Sequence, residues 1–376
     1  MKHFVRFLAA ALVAVVTVAC LGSCGSAFKS ETINIGATGP LSGAYASYGT
    51  SVKNGAELAV EEINKKGGLQ FSFDMKDDEG DGEKAQNGFN SLYEAGMQVS
   101  IGSVTSGACE AFAASAVEKK TFVLTPSASD AKVIAKGDNI FRVCFGDPQQ
   151  GTIAADELTK KYGKIGVIYD SGIDYSKGIY EAFEAEMIKK GKVKGTDFSV
   201  HPCTEDTIDF STHINGLKSA GCDVIFLPIY YQAAGLVAKA AAAAGFNVPI
   251  FGADGLDGIK DQIDSSVTAP ISYITPFDMN STDEKVSAFV AAYREKYGID
   301  PDQFAADGYD AVMIIYEAVT AAGVTDTTIS VADLSDKLTA MLTSASFSYT
   351  GLTGTDMRWT KEGSCEKEPM VVEVTR

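Results

Sequence analysis

Short apolar strands alternate with amphipathic helices along nearly the whole chain, and this alternation constrains the fold more than any other feature. Residues 32–37 alternate like a strand, and Val52, Ala56 and Ile63 then recur on one face of a predicted helix over residues 49–66. Strands separated by helices form βαβ units, which build a parallel sheet covered by helices on both faces. The sequence therefore predicts an α/β fold.

The alternation occurs in two series of similar plan, which are separated by Gly146-Asp147-Pro148. The first series predicts strands at 32–37, 70–76, 98–102, 121–124 and near 140–144, with helices at 49–66, 83–95 and 107–119. The second predicts strands at 164–170, 196–201, 223–228 and 249–254, with helices at 149–162, 175–190, 209–220 and 232–244. We therefore predict two doubly wound parallel-sheet lobes.

The C-terminal third predicts how these lobes are joined. Residues 271–278 read as an extended crossing, after which three predicted helices follow without strands and are expected to pack on the first lobe. The tail is expected to return to the second lobe. Three crossings, near 145, 276 and 350, would form a hinge beside a ligand cleft. The predicted lobes are 32–145 plus 277–349, and 146–276 plus 350–376.

The N-terminus predicts export. Lys2 and Arg6 precede an apolar run over residues 7–21, which has the composition of a secretory signal and is shorter than the ~20 residues that span a bilayer. Leu21-Gly22-Ser23-Cys24 then resembles the bacterial lipobox, in which the cysteine is lipidated. We predict a signal peptide over 1–23 and a lipid anchor on Cys24; Cys20 is a poorer candidate, and an uncleaved anchor is the alternative.

Charge and cysteine content exclude several classes of protein. The formal net charge is −17, and an acidic surface repels nucleic-acid phosphates, so no nucleic-acid partner is expected. Five cysteines follow Cys24, without a Cys-x-x-Cys pair, so neither a disulfide framework nor a zinc site is indicated. One or two bridges stay open, and the spacing does not identify a pairing among Cys109, Cys144, Cys203, Cys222 and Cys365.

The sequence lacks the motifs of the common cofactor-dependent and hydrolytic enzymes. It contains no Gly-x-Gly-x-x-Gly after a strand, no phosphate-binding Gly-x-x-x-x-Gly-Lys-Ser/Thr and no Gly-x-Ser-x-Gly elbow. His201 and His213 do not neighbour a candidate nucleophile. We therefore predict no cofactor, no metal and no catalytic activity. An extracellular hydrolase with Ser106 as nucleophile is a rival hypothesis, but it lacks a convincing base.

The loops that follow the predicted strands offer hydroxyl groups, aromatic rings and one carboxylate. In open α/β sheets, ligands bind beyond the carboxyl ends of the strands. Ser106 opens a predicted helix, whose N-terminal N–H groups would bind a carboxylate together with the serine hydroxyl. Asp254 follows another strand and could pair with an ammonium group, while tyrosines close over the ligand. This set suits a small zwitterion.

Seven segments together resemble a known family. They are IGATGPLSGAYASYG (35–49), NGAELAVEEINKKGG (54–68), IGSVTSG (101–107), LTPSASD (124–130), the turn from Asp170 to Tyr175, DFSTHINGLKSAGCDVIFLP (209–228) and FGADG (251–255). Their order and spacing are similar to those of the substrate-binding proteins of branched-chain amino-acid ABC transporters, which are type I periplasmic binding proteins of the leucine/isoleucine/valine-binding kind. The resemblance covers nearly all of residues 32–376.

The resemblance implies a monomer that captures an amino acid and delivers it to an ABC permease; a sensor or receptor subunit on the same fold is the alternative. It implies an α-carboxylate contact for Ser106, a main-chain contact to the ammonium for Ser127, and contacts to both ligand termini for Ser129. The implied aromatic contacts are Tyr48, Tyr175, Tyr230 and Phe304. Asp254 stands where the leucine-type proteins have glutamate, and this shorter acid puts branched-chain specificity in doubt.

Simpler interpretations of these residues exist. Ser106 and Ser129 could only cap helices, and Asp254-Gly255 could only form a turn. Tyr175 and Tyr230 could be ordinary loop aromatics, and Tyr48 and Phe304 could only pack the lobes.

Overall fold

The computed structural model describes residues 28, 29 and 31–375. The predicted signal peptide (1–23) and the predicted lipidation site Cys24 lie outside these residues. None of the helices in the described part of the chain combines the length and the apolar character needed to cross a membrane.

The first half of the chain forms a five-stranded parallel sheet. Its strands are β1 (Ile33–Gly39), β2 (Phe71–Asp77), β3 (Val99–Ser100), β4 (Phe122–Thr125) and β5 (Ile140–Arg142), in the order β2-β1-β3-β4-β5. The helices of this half are α1 (Ala46–Lys66), α2 (Gly82–Glu94), α3 (Ser106–Glu118) and the short α4 (Ala131–Ile134). Helices on both faces bury the central strands, which explains their nearly continuous apolar sequence.

The second half forms a six-stranded sheet from β6 (Ile165–Asp170), β7 (Phe198–Cys203), β8 (Val224–Leu227), β9 (Ile250–Gly252), β10 (Ile271–Thr275) and β13 (Met370–Glu373). The order is β13-β10-β9-β8-β6-β7, and β13 alone is antiparallel to its neighbour. The accompanying helices are α5 (Asp147–Lys161), α6 (Asp174–Lys189), α7 (Ser211–Ala220) and α8 (Tyr231–Ala243). These two sheets with their helices confirm the predicted pair of doubly wound α/β lobes.

Three further helices, α9 (Glu284–Tyr297), α10 (Gln303–Ala321) and α11 (Val331–Leu342), pack back on the first sheet and its helices, as predicted. Glycine permits the close approach of α10 to α1. A Cβ atom on Gly55 would lie 1.9 Å from the carbonyl oxygen of Ala305, and one on Gly308 would lie 2.4 Å from that of Val52. This packing brings the N-terminus of α10, with Gln303 and Phe304, to the cleft between the lobes.

The C-terminal segment stays beside the first lobe longer than the sequence suggested. The strands β11 (Arg358–Trp359) and β12 (Cys365–Glu366) pair with each other, and the Trp359 indole Nε1 donates to the Arg142 carbonyl at 2.8 Å. The Arg142 N–H donates in turn to the Gly363 carbonyl at 3.1 Å.

Within this segment, only β13 pairs with the second sheet. We therefore propose that the third crossing lies at 367–369 rather than near 350. The periodic pattern gave no sign of this, because the contacts that hold the segment join residues about 220 positions apart. The other predicted lobe boundaries stay predictions.

Candidate functional site

A narrow cavity lies between the two lobes. It is lined by Tyr48, Val104, Thr105, Ser106, Ser127, Tyr175, Tyr230, Asp254, Gly255 and Phe304. Seven of the eight residues predicted to bind a ligand are in this set, and Ser129 is the eighth. Among these lining residues there is one carboxylate, and there is no lysine, arginine, histidine or cysteine.

The first-lobe wall of the cavity is the N-terminus of α3. Ser106 is the first residue of that helix, and its Oγ accepts hydrogen bonds from the backbone N–H groups of Ser129 and Asp130, both at 3.2 Å. The Ser106 hydroxyl therefore joins α3 to the start of α4 and still keeps its own proton to donate. A helix N-terminus with hydroxyl donors is suited to bind an anion.

Thr105 was not predicted as a site residue, although it immediately precedes Ser106. It occupies the N-cap position of α3, but its side chain makes no capping hydrogen bond. The residue is only 7% exposed, it lines the cavity, and its Oγ1 has no hydrogen-bond partner in the structure. A buried hydroxyl without a partner is unfavourable, so this group is available to a ligand atom.

We expect Thr105→Val to weaken ligand binding and to stabilise the free protein. The isosteric change removes one donor to the ligand, which is worth about 1 kcal/mol or roughly a fivefold loss of affinity. It also removes an unsatisfied buried hydroxyl, so the melting temperature of the free protein should rise. Calorimetry and thermal denaturation of the variant test both effects, and Thr212→Val, which changes an exposed threonine of α7, is the control. Unchanged affinity would show that Thr105 does not bind the ligand.

The other two predicted serines take different places. Ser127 lines the cavity and donates from its Oγ to the Val104 carbonyl at 2.8 Å. Ser129 is fully buried behind Ser106 and does not line the cavity. Its carbonyl accepts from the Arg142 guanidinium and from the Asp147 N–H, which explains why it is held back from the cleft. Its predicted role at both ligand termini stays a prediction.

Asp254 supplies the negative charge of the second-lobe wall. It follows β9, begins a short 3₁₀-helix over Asp254–Leu256, and is 6% exposed. The Tyr175 hydroxyl donates to Oδ1 at 2.8 Å, and the Asp254 N–H donates to Gln150 Oε1 at 2.9 Å. Burial raises the pKa of Asp254 to about 6, although the hydrogen bond from Tyr175 opposes the shift. Because both partners are neutral, neither balances the carboxylate charge.

Gln150 and Gln303 hold the backbone of Asp254. Gln150 accepts from the Asp254 N–H, and Gln303 Nε2 donates to the Asp254 carbonyl at 2.6 Å. Both are fully buried. The sequence did not predict them, because glutamine in a first helical turn carries no distinctive pattern and the contacts span 104 and 49 residues.

Aromatic rings from both lobes close the cavity. Tyr48 and Phe304, from the first lobe, have ring centroids 4.2 Å apart, and Tyr48 meets Tyr230 of the second lobe at 5.6 Å. Tyr230 stacks on Tyr175 at 4.8 Å with an interplanar angle of 12°. These distances are those of rings in contact.

Hydrogen bonds hold the lobes together around these rings. The Tyr48 hydroxyl donates to the Gly255 carbonyl and accepts from the Tyr231 N–H at 3.2 Å. The Tyr231 hydroxyl donates to the Ala44 carbonyl at 3.1 Å. Towards the outside, Lys132 of α4 forms an ion pair with Asp174 of α6 at 2.6 Å. The structure is therefore a closed form of the two-lobed protein.

Metal-ligand clusters and cysteines are the other candidate sites in the described part of the chain. In the described part of the chain, no group of three or more histidine, cysteine or acidic residues is arranged to hold a metal ion. All five described cysteines are free and buried. Burial raises the pKa of Cys109, Cys203 and Cys365 to about 12, so these thiols are protonated core groups at neutral pH.

Comparisons with known proteins identify the family of this chain. A family described as periplasmic binding protein matches residues 32–375. A Leu/Ile/Val-binding protein homologue of Brucella melitensis is 31% identical over 320 residues, which cover 84% of this chain and 85% of that protein. These matches confirm the resemblance found in the sequence.

Two solved structures show the same fold. A branched-chain amino acid transporter substrate-binding protein from Streptococcus pneumoniae, in complex with isoleucine, is 28% identical with a TM-score of 0.76, and the match covers 91% of this chain and all of that one. A solute-binding protein of R. palustris, in complex with benzoate, is 22% identical with a TM-score of 0.79 and 90% and 92% coverage. The fold therefore accommodates ligands of different chemistry.

Proposed function

Because the chain belongs to the periplasmic binding protein family, we propose that it captures a free amino acid between its two lobes and delivers it to an ABC permease. The observation that carries this proposal is that two opposite walls of one cavity present complementary groups, a carboxylate on one and hydrogen-bond donors on the other. Asp254 presents a buried carboxylate balanced by no cationic partner, and the N-terminus of α3 presents hydroxyl and N–H donors. An α-amino acid offers an ammonium group to Asp254 and a carboxylate to the N-terminus of α3.

The protein is proposed to act by binding alone. The Ser106 hydroxyl accepts two backbone hydrogen bonds, and the cavity lining supplies no histidine or lysine to remove its proton. A serine nucleophile needs such a base within hydrogen-bond reach. The geometry therefore supports recognition of a zwitterion more strongly than the rival hydrolase.

A binding panel tests the ligand class. The twenty amino acids are screened by thermal shift with the processed protein, and each hit is measured by calorimetry against propionate, ethylamine and benzoate. We expect at least one amino acid to bind with a dissociation constant near the micromolar range, about −8 kcal/mol, and both truncated analogues to bind far more weakly. Benzoate or propionate binding more tightly than every amino acid would overturn the proposal.

An uptake assay tests delivery. A strain without the protein should lose uptake of the amino acid that binds best, and the wild-type gene should restore it. Unchanged uptake would instead support the sensor hypothesis, since a receptor subunit is not required for transport.

We also propose that Cys24 anchors the protein to the membrane outside the cytoplasm. The basic residues, the apolar run and Leu21-Gly22-Ser23-Cys24 support this anchor, as does the extracytoplasmic setting of the family. Cys24→Ala should abolish incorporation of a fatty-acid label and release the protein from the membrane fraction, whereas the control Cys20→Ala should keep both. Normal labelling of Cys24→Ala would exclude this cysteine.

A further inference from the structure

We propose that a clasp between Tyr45 of the first lobe and Glu205 of the second lobe slows the release of the bound ligand without taking part in its recognition. This inference rests on the proposed function and adds to it a residue that positions the closed cleft. Tyr45 immediately precedes α1, and neither Tyr45 nor Glu205 lines the cavity. The clasp is therefore separate from the groups proposed to bind the amino acid.

Tyr45 reaches from one lobe to the other. Its hydroxyl donates to Glu205 Oε1 at 2.7 Å, and its ring meets that of Tyr230 edge-on with a centroid distance of 4.8 Å. On its own lobe, the ring stacks beside Tyr48 at 6.4 Å. Tyr45 is half-buried, whereas Tyr48 and Tyr230 are buried. Tyr45 therefore lies between these two cavity-lining rings and the solvent.

The first lobe holds Tyr45 in position for this contact. Asp77, at the end of β2, accepts from the Leu41 N–H at 2.8 Å and from the Ser42 hydroxyl at 2.6 Å, so it fixes the loop that leads to Tyr45. These bonds lie within one lobe and do not depend on closure. Burial and the Glu205 carboxylate raise the pKa of the Tyr45 hydroxyl, which therefore keeps its proton and remains a donor.

A ligand enclosed in the cleft leaves only when the lobes separate, and their separation breaks the Tyr45–Glu205 hydrogen bond and uncovers Tyr230. Because the clasp touches no part of the cavity, it adds the same free energy to every closed complex. It should therefore change the dissociation rates of different amino acids by one common factor and leave their order of affinity unchanged. Tyr48 differs in this respect, since it lines the cavity and its replacement would alter ligand contacts as well.

Release of radiolabelled L-leucine, L-alanine and any other amino acid that binds, measured in an excess of the unlabelled compound, tests the clasp. Tyr45→Phe removes the hydroxyl and keeps the ring, so we expect dissociation to be about fivefold faster, the equivalent of about 1 kcal/mol. Tyr45→Ala also removes the contact with Tyr230 and should accelerate release by at least about tenfold. Tyr93→Phe, which changes a half-buried tyrosine of α2 that does not line the cavity, is the control.

A double-mutant cycle tests whether the two side chains act on each other. Glu205→Ala should accelerate release as much as Tyr45→Phe, and the double variant should be no faster than either single variant. Asp206→Ala, which removes the neighbouring exposed carboxylate, should leave release unchanged. Unchanged release in Tyr45→Phe, additive effects in the double variant, or different factors for different amino acids would each overturn the proposal.

The outcomes also separate the clasp from the function on which it rests. Failure of all twenty amino acids to bind would overturn the proposed function, and the ligand-free protein then decides about the clasp. In small-angle scattering, Tyr45→Phe should have a larger radius of gyration than the wild-type protein, because fewer of its molecules are closed. Equal radii would in that case overturn the clasp as well.

Discussion

Replacing Asp254 by asparagine should lower the affinity for the amino-acid ligand by at least about 30-fold. Asp254 is the one carboxylate in the cavity lining, and its hydrogen-bond partners Tyr175 and Gln150 are neutral. A buried ammonium group that loses its counter-charge costs roughly 2–5 kcal/mol, and each ~1.4 kcal/mol is a factor of ten in affinity. Asparagine keeps the shape of the side chain, so the loss would report charge rather than packing.

Calorimetry of this variant is best interpreted beside Asp261→Asn, which removes an exposed carboxylate seven residues later. The control should bind like the wild-type protein. If Asp254→Asn binds equally well, the ammonium group lies elsewhere, and the ligand need not be an amino acid.

Affinity should also fall as the pH is lowered below about 6. Burial raises the pKa of Asp254 to about 6 in the ligand-free cavity, and an ammonium ligand would lower it by favouring the charged form. Binding therefore releases a proton at acidic pH. The affinity is greatest above pH 6. Below that it declines by roughly tenfold per pH unit, until the pH reaches the pKa of Asp254 in the complex. Dissociation constants measured from pH 7.5 to 5 should show this slope.

Asp254→Asn should remove most of this pH dependence, because the variant has no group to protonate at that position. A wild-type affinity that is constant, or that rises, between pH 7.5 and 5 would contradict the assignment of Asp254 as the ammonium partner.

The stability of the ligand-free protein should change in the opposite direction. The folded-state pKa of Asp254 lies above the value near 3.9 of an unfolded chain, so the folded protein holds more protons between those values. Burial likewise raises the pKa of Asp302 to about 7 and of Asp307 to about 8. The free energy of unfolding contributed by these groups therefore falls as the pH rises from 4 to 8. Urea denaturation at pH 5 and 7.5 measures this difference.

Local patterns predicted the elements of this fold well, because the period of apolar residues reflects burial in each helix and strand. The helix predicted at 49–66 is observed at Ala46–Lys66, and the strand predicted at 70–76 is Phe71–Asp77. The position of Trp359 beside Arg142 could not be predicted in the same way. That contact depends on hydrogen bonds between residues far apart in the chain, which leave no trace in the periodicity.

The candidate site likewise contains residues that local patterns predict and interactions that they do not. Tyr48, Ser106 and Asp254 follow strands or open helices, so their position at the cleft follows from parallel-sheet topology. The unpartnered hydroxyl of Thr105 and the support that Gln150 gives to Asp254 depend on side-chain packing in three dimensions. A sequence pattern identifies which residues reach the cleft, but it does not say which of their polar atoms are already occupied.

The hydroxyl of Tyr48 links the thermodynamics of the empty and loaded protein. Its bonds to Gly255 and Tyr231 join the lobes without using any ligand atom, so they contribute to the fraction of molecules that are closed before binding. Apparent affinity scales with that binding-competent fraction. The same bonds must break each time the ligand is released. A change that strengthens them would therefore raise the affinity and also slow the release of the ligand.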